Sequence, residues 1–273
     1  MTPKGLALAM LAGGLMVQAS NAAASPQELC PASDRSPLPV MAKRFLLAQL
    51  ALSPVEAAAA GLHSYEGRNL DREMDDFSPA SLEAQHKLLL EGQRCFARFN
   101  ERSLSAEDAV DLEMIRRSIA DSLYRDAEVQ DEHYRPDHYV ELVGSALFFP
   151  LTWTNGTEQQ RLENVVALMS QVARLYTQAK ANLRGTDPVF IDTAVEENAG
   201  NRDVITSIGE RIPAGSSLRA EYDAASKQAL AAVDDFTAWL KSDLAKQPHT
   251  RTWRTGAPVY GHLFADSVGR RAR

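Results

Sequence analysis

The stretch that decides the fold begins Thr157-Glu158-Gln159-Gln160, runs as a periodic segment to Arg184, and turns through Gly185-Thr186-Asp187-Pro188-Val189-Phe190. Thr157 and Gln160 have the spacing of a capping box, in which each side chain satisfies a free backbone N–H of the other residue. Leu162, Val165, Val166, Met169, Val172, Tyr176, Ala179 and Leu183 then recur at helical spacing and form one apolar stripe. Gly185 is a natural helix stop. Asp187-Pro188 is a natural restart, with an acceptor at the N-cap and proline at the first helical position. The reading predicts two helices meeting at a tight corner.

Other helices extend outward from this pair. Downstream, Gly200 and Gly209 are expected to weaken the second helix, and Pro213 to end it. Leu218, Tyr222, Ala225, Ala229, Val233, Phe236, Leu240 and Leu244 then mark a long helix, which Pro248 stops. Trp253 to Phe264 starts a further element, and Ala265 to Arg273 reads as a frayed basic tail. Upstream, Met41 to Leu52 predicts a short helix, and Ser53-Pro54-Val55-Glu56 starts another that runs to Gly61. His63 to Asp76 reads as a loop. Ser78-Pro79 opens a helix with Leu82, Leu89, Phe96 and Phe99 as its stripe, ending near Asn100. Ser105 to Asp108 opens the next, with Leu112, Ile115, Ile119 and Leu123. His138 to Pro150, containing Tyr139, Leu142, Val143, Leu147, Phe148 and Phe149, predicts a short buried helix. The fold class is therefore all-α: a bundle of antiparallel amphipathic helices, roughly seven to nine of them, with little or no sheet. One helical domain over residues 40–264 follows an irregular Pro- and Ser-rich lead-in over residues 25–39.

Composition is that of a globular protein: 273 residues, 45% hydrophobic and 24% charged. A net charge of −7 without basic clusters argues against nucleic acid and against an anionic membrane surface as partners. Residues 1–24 have the pattern of a secretory signal: Lys4, an apolar run from Leu6 to Val17, and Ala22-Ala23-Ala24 before Ser25. An N-terminal membrane anchor is the alternative reading. With cleavage after Ala24 the protein is periplasmic or secreted. It is not a lipoprotein, because Gln27-Glu28-Leu29 before Cys30 is no lipidation motif. Cys30 and Cys95 form either a disulfide or two unpaired thiols. A bridge closing that loop stabilises by on the order of 4 kcal/mol in the chain-entropy model.

Motifs that carry chemistry are few. Helical zinc hydrolases place two His one turn apart with a carboxylate between them, and no such motif occurs. His133 and His138 straddle Pro136 and read as a solvated polar turn. Glu196 and Glu197 could divide acid and base roles in a cleft, against a solvated face or a salt bridge to Arg202. Asn155-Gly156-Thr157 fits a glycosylation sequon, although a turn and a helix cap also account for it. No nucleophile elbow and no phosphate-binding glycine loop is present.

Several segments together resemble a known family. They are Leu52 to Ala57 with Gly61-Leu62-His63; Asp76-Phe77-Ser78-Pro79; Leu104 to Asp108; Ala181-Asn182-Leu183 with Pro188-Val189-Phe190 and Thr193-Ala194; and Phe236 to Leu240. In order and spacing they resemble the N-terminal half of the bacterial family labelled domain of unknown function 885. The resemblance covers Val40 to Phe264. It implies a helical, often exported protein similar to zinc metallopeptidases. The family's metal motif, a His-Glu pair followed by Pro-Gly-His, belongs to a C-terminal half. Ala265 to Arg273 departs from the family pattern, so no catalytic or metal-ligating residue carries over. Zinc is expected only with that other half. What carries over is the scaffold that would line the cleft: Pro188, Phe190, Thr193, Glu196 and Glu197.

Three functional expectations follow. The first is a protein that is non-catalytic by itself. The second is a peptidase-like hydrolase completed by another half. The third is a peptide-binding module. An apolar face left uncovered would favour self-association or a complementing chain.

Overall fold

The computed structural model describes residues 29–267; the expected leader over residues 1–24 and the tail residues 268–273 lie outside them. The elements are α1 (Leu38–Ala51), α2 (Pro54–Ala59), α3 (Pro79–Phe96), α4 (Ala106–Tyr124), α5 (Asp131–Tyr134), α6 (Pro136–Phe148), α7 (Glu158–Met169), α8 (Val172–Asn182), α9 (Pro188–Glu210), α10 (Leu218–Ser242) and α11 (Ala257–Ser267). The all-α expectation holds. The stretch after α2, expected as a loop, also carries a small antiparallel ribbon, β1 (Ser64–Tyr65) with β2 (Arg68–Asn69). Glu66 and Gly67 both take positive φ at its tip, the geometry that matches the twist of a tight hairpin.

Side-chain caps set many of the helix starts. Thr157 and Gln160 form the reciprocal capping box of α7. Ser78, Ser105 and Asp187 accept N–H groups from the first turns of α3, α4 and α9. The segment after Thr157 is two helices rather than one. At Ser170-Gln171 the ladder tightens, and the Gln171 N–H turns to the Leu168 carbonyl at 2.9 Å. The Ala167 carbonyl, which an unbroken helix would pair with that N–H, accepts instead from Ser170 Oγ at 2.7 Å and Gln171 Nε2 at 3.0 Å. The apolar stripe survives the break, and its residues stay buried.

The main core joins α6 through α10, with α9 packed against both α6 and α10. A polar network crosses it. Tyr176 Oη donates to Asn198 Oδ1 at 2.5 Å, and Asn198 Nδ2 donates to the Val233 carbonyl and to Thr237 Oγ1. Asn201 Nδ2 donates to the Val140 carbonyl at 2.9 Å. Buried polar groups of this kind specify one helix register only when every member is paired. Glycine does not interrupt α9. A Cβ on Gly209 would lie 2.4 Å from Tyr222 Oη, so the residue permits close approach of α9 and α10.

The corner between α8 and α9 is as tight as its sequence suggests. Gly185 has φ +57°, and a Cβ there would meet Thr250 Oγ1 at 2.3 Å. The chain beyond α10 holds this corner, with Thr250 N–H bonded to the Gly185 carbonyl and Trp253 N–H bonded to Asp187. The apolar run on α6 divides: Tyr139, Val143 and Leu147 are fully buried, whereas Phe148 and Phe149 stand half exposed. Phe149 stands at the rim of the cleft described below.

A second, smaller core joins the lead-in to α1, α3 and α4. The Cys30–Cys95 disulfide sits inside it, with a Cα–Cα distance of 5.9 Å across a sequence separation of 65. The bridge therefore ties the lead-in to α3. Replacing both cysteines by serine is expected to cost about 2–5 kcal/mol. Hydrogen exchange should show the loss first in α1 and α3, before α9 and α10. Uniform loss of protection across both cores would contradict this division.

Candidate functional site

The site is built by a polar face on α8. Between the ribbon and α3 the chain crosses α8 as a strap, residues 72–77, which leaves a single 3-10 turn at Arg72 and has no regular secondary structure from Glu73 on. Gln171, Arg174, Gln178 and Asn182 stand one turn apart beneath it. Gln171 donates to the Arg72 carbonyl at 2.7 Å and accepts from Met74 N–H at 3.1 Å. Arg174 donates to the carbonyls of Met74 and Asp75 at 2.9 and 3.1 Å. Gln178 accepts from Phe77 N–H at 3.0 Å, and Asn182 donates to the Phe77 carbonyl at 2.9 Å. The strap has no ladder of its own, so these side chains satisfy its backbone.

The ladder places two side chains. Phe77 packs against Tyr139 and, edge-on, against His138 of α6. Asp75 turns towards α2, where its Oδ1 accepts the Val55 N–H at 3.0 Å. A cleft of about 480 Å³ opens between α2, the strap and α6. Its walls carry Phe77, Leu142, Phe149 and Trp153, and its acids are Glu56, Asp71, Glu73, Asp75 and Glu141. That size lies in the range of small-ligand sites.

Asp75 is nearly buried, and its carboxyl is pushed up to about 6. Desolvation is the main cause, opposed by the Val55 N–H and reinforced by the neighbouring charge of Glu56. Asp71 and Glu73 are already paired, with His63 at 2.7 Å and Arg68 at 2.5 Å. Asn155 lies within 3.4 Å of the His63 ring and its Oδ1 is buried, while Thr157 caps α7. Turn and cap thus account for the sequon. A larger hollow of about 630 Å³ flanks the disulfide. Arg35 and Arg98, in its lining, spend their donors on the carbonyls of residues 30–34, so it reads as a bracket for the lead-in.

The five residues expected to line a cleft all lie on α9 and do not border this one. Pro188, Glu196 and Glu197 are exposed, and Thr193 returns its hydroxyl to the Val189 carbonyl. Phe190 carries the Arg135 guanidinium 4.4 Å above its ring. Glu197, although exposed, is held above the usual carboxylate range by partial desolvation and by the charges of Asp137 and Glu141 on α6. Glu141 is thus shared between that face and the cleft. Arg202 pairs with Asp234 rather than with either glutamate. His133 faces the Asn182 carbonyl, and among the described residues no three His, Cys, Asp or Glu side chains are grouped to hold a metal ion. Asp75 gave no signal in sequence: it is one acid within a polar loop. The spacing of the four α8 residues was the available clue.

A family model described as a bacterial protein of unknown function, DUF885, matches residues 54–272. The chain belongs to the DUF885 family. The fold is also that of a solved structure, a candidate lipoprotein of unknown function from Shewanella oneidensis. The TM-score is 0.73 at 18% sequence identity, over 85% of this DUF885 chain and 42% of the Shewanella chain. This chain therefore spans about two fifths of that neighbour's length. No curated protein matches it in sequence.

The Asp75 shift has a sign that can be tested. Its folded value, about 6, lies above the ordinary 3.8, so the folded state holds the proton more tightly. Stability is then greatest below the unfolded value and falls as pH rises towards 6. Asp75→Asn keeps an acceptor for Val55 and removes the charge. It should stabilise the protein by on the order of 1–3 kcal/mol at neutral pH and give no gain under acid conditions. Denaturant titrations in the two buffers check this, and a loss of stability at neutral pH would refute it.

Proposed function

We propose that this chain is an exported ligand-recognition module of the DUF885 family, non-catalytic by itself, whose cleft between α2, the strap and α6 receives short peptides or peptide-like amphiphiles. The cleft is the observation that carries the reading. A concave site has apolar walls, several acids converge on it, and one of those acids is kept buried against its own hydration. Export is supported by the leader-like N-terminus, by the disulfide, which persists in oxidising compartments, and by the description of the Shewanella neighbour as a candidate lipoprotein. Among the described residues no helix is long and apolar enough to cross a membrane.

The neighbour's length favours a second reading. More than half of that chain lies beyond the matched part, which leaves room for a metal-binding half to complete a peptidase-like hydrolase. Zinc would then belong to the longer assembly. The five α9 residues, Pro188, Phe190, Thr193, Glu196 and Glu197, would face the cleft of that assembly. Tyr260 and Phe264, exposed and stacked on α11, are the surface we assign to a complementing chain or to self-association.

Ser145 lies in the lining of the cleft, half-buried. We expect a set of tripeptides to raise the melting temperature saturably, and Ser145→Trp to abolish that shift while the variant melts near the parent. At a ligand concentration a hundred times Kd the gain is about 2.7 kcal/mol. An undiminished shift in the variant would move the site elsewhere. Elemental analysis and chelator-sensitive peptide hydrolysis test the non-catalytic assignment: stoichiometric zinc with hydrolysis by this chain alone would overturn it.

A further inference from the structure

The charges around the cleft are one-sided. Five carboxylates and the His138 imidazole contribute to its lining, and no lysine or arginine does. Two of the five are neutralised locally, Asp71 by His63 and Glu73 by Arg68. Three are left: Glu56 on α2, Asp75 on the strap and Glu141 on α6. Among the described residues neither Glu56 nor Glu141 has a salt-bridge partner. The nearest cations are engaged elsewhere. Arg174 places its guanidinium on the carbonyl of Asp75 rather than on the carboxylate. Arg135, which acts on Glu141 only through the field, is held by Asp137. The Asp75 carboxylate itself receives the Val55 N–H, a neutral donor.

Three acids without a salt-bridge partner in the lining of one cleft, where no lysine or arginine contributes, fit a ligand that brings the charge. These acids are not grouped to hold a metal ion. An ammonium group is larger, donates three hydrogen bonds, and tolerates a looser set of acceptors. Phe149 and Trp153 border the same space, and aromatic rings there attract a cation or pack against its hydrocarbon portion. We infer that the cleft seats a primary ammonium group between Glu56, Asp75 and Glu141, with the apolar remainder of the ligand against Phe149 and Trp153. The inference rests on the reading of this cleft as a ligand site and narrows its ligand class. A peptide's α-amine and a lysine side chain share that chemistry.

Phenethylammonium, 2-phenylethanol and 3-phenylpropanoate present one apolar group with positive, neutral and negative ends. Titrated calorimetrically into the full chain, the ammonium should bind at least about ten-fold more tightly than the alcohol, and the carboxylate more weakly than either. Asp75→Asn, and the surface pair Glu56→Gln with Glu141→Gln, should each weaken the ammonium about ten-fold and leave the alcohol unchanged. Circular dichroism melts establish that each variant is folded. Phe-Gly-Gly compared with its N-acetyl form, and with N-acetyl-lysine amide, separates the two sources, and tight binding of either amine supports the inference. Equal affinity for ammonium and alcohol, or variants that bind as the parent does, would overturn the charge assignment alone. Failure of all three probes and of the peptides to bind the parent would overturn the cleft reading with it.

Discussion

The structure of the site depends on four polar side chains reading the backbone of one strap. Gln171, Arg174, Gln178 and Asn182 supply the hydrogen bonds that residues 72–77 cannot make among themselves. A strap without such partners would leave buried N–H and C=O groups unpaired, each costing about 1–3 kcal/mol. With the ladder in place the strap lies fixed across α8, and Asp75 and Phe77 take one position relative to α2 and α6. The helix break at Ser170-Gln171 belongs to the same device. It frees the Gln171 side chain to serve the strap while still satisfying the Ala167 carbonyl.

Asp75 shows what this rigidity makes tolerable. Desolvation disfavours its charged form, and the backbone N–H groups of Val55 and of Asp75 itself, together with the field of Arg174, offset that only in part. An asparagine would serve the Val55 N–H equally well without the burden of charge. A desolvated carboxylate in the lining of a concave site is the kind of group that the proposed ligand reading accounts for. In the proposed reading, stability and recognition pull in opposite directions at this position.

The rest of the molecule supplies support at two levels. The α6–α10 core carries a fully paired polar network through Tyr176, Asn198 and Asn201, which sets how α6, α9 and α10 face one another. The smaller core around Phe45, Phe96 and Leu112 has fewer buried residues and holds the disulfide. A covalent tie matters most where burial contributes least. The cleft lies with the larger core: its strap is pinned to α8, and its wall is α6.

Helix positions were legible in the sequence because capping and periodicity are local. Thr157 with Gln160, Ser105 with Asp108, and Asp187-Pro188 announce their helices within four residues. The stripe from Leu218 to Leu244 needs only its own spacing to find a core. Local rules could not reveal what the Gln171 side chain serves, because its partner is a carbonyl roughly a hundred residues away, at Arg72. They could not decide between a disulfide and two thiols, which depends on α3 meeting the lead-in. Nor could they single out Asp75 from the other acids of a polar loop. Sequence determined which segments are helices and which faces are apolar, since those follow from neighbours three and four residues apart. Only the tertiary structure decided which carboxylate is desolvated, because burial is a property of what the rest of the chain brings alongside it.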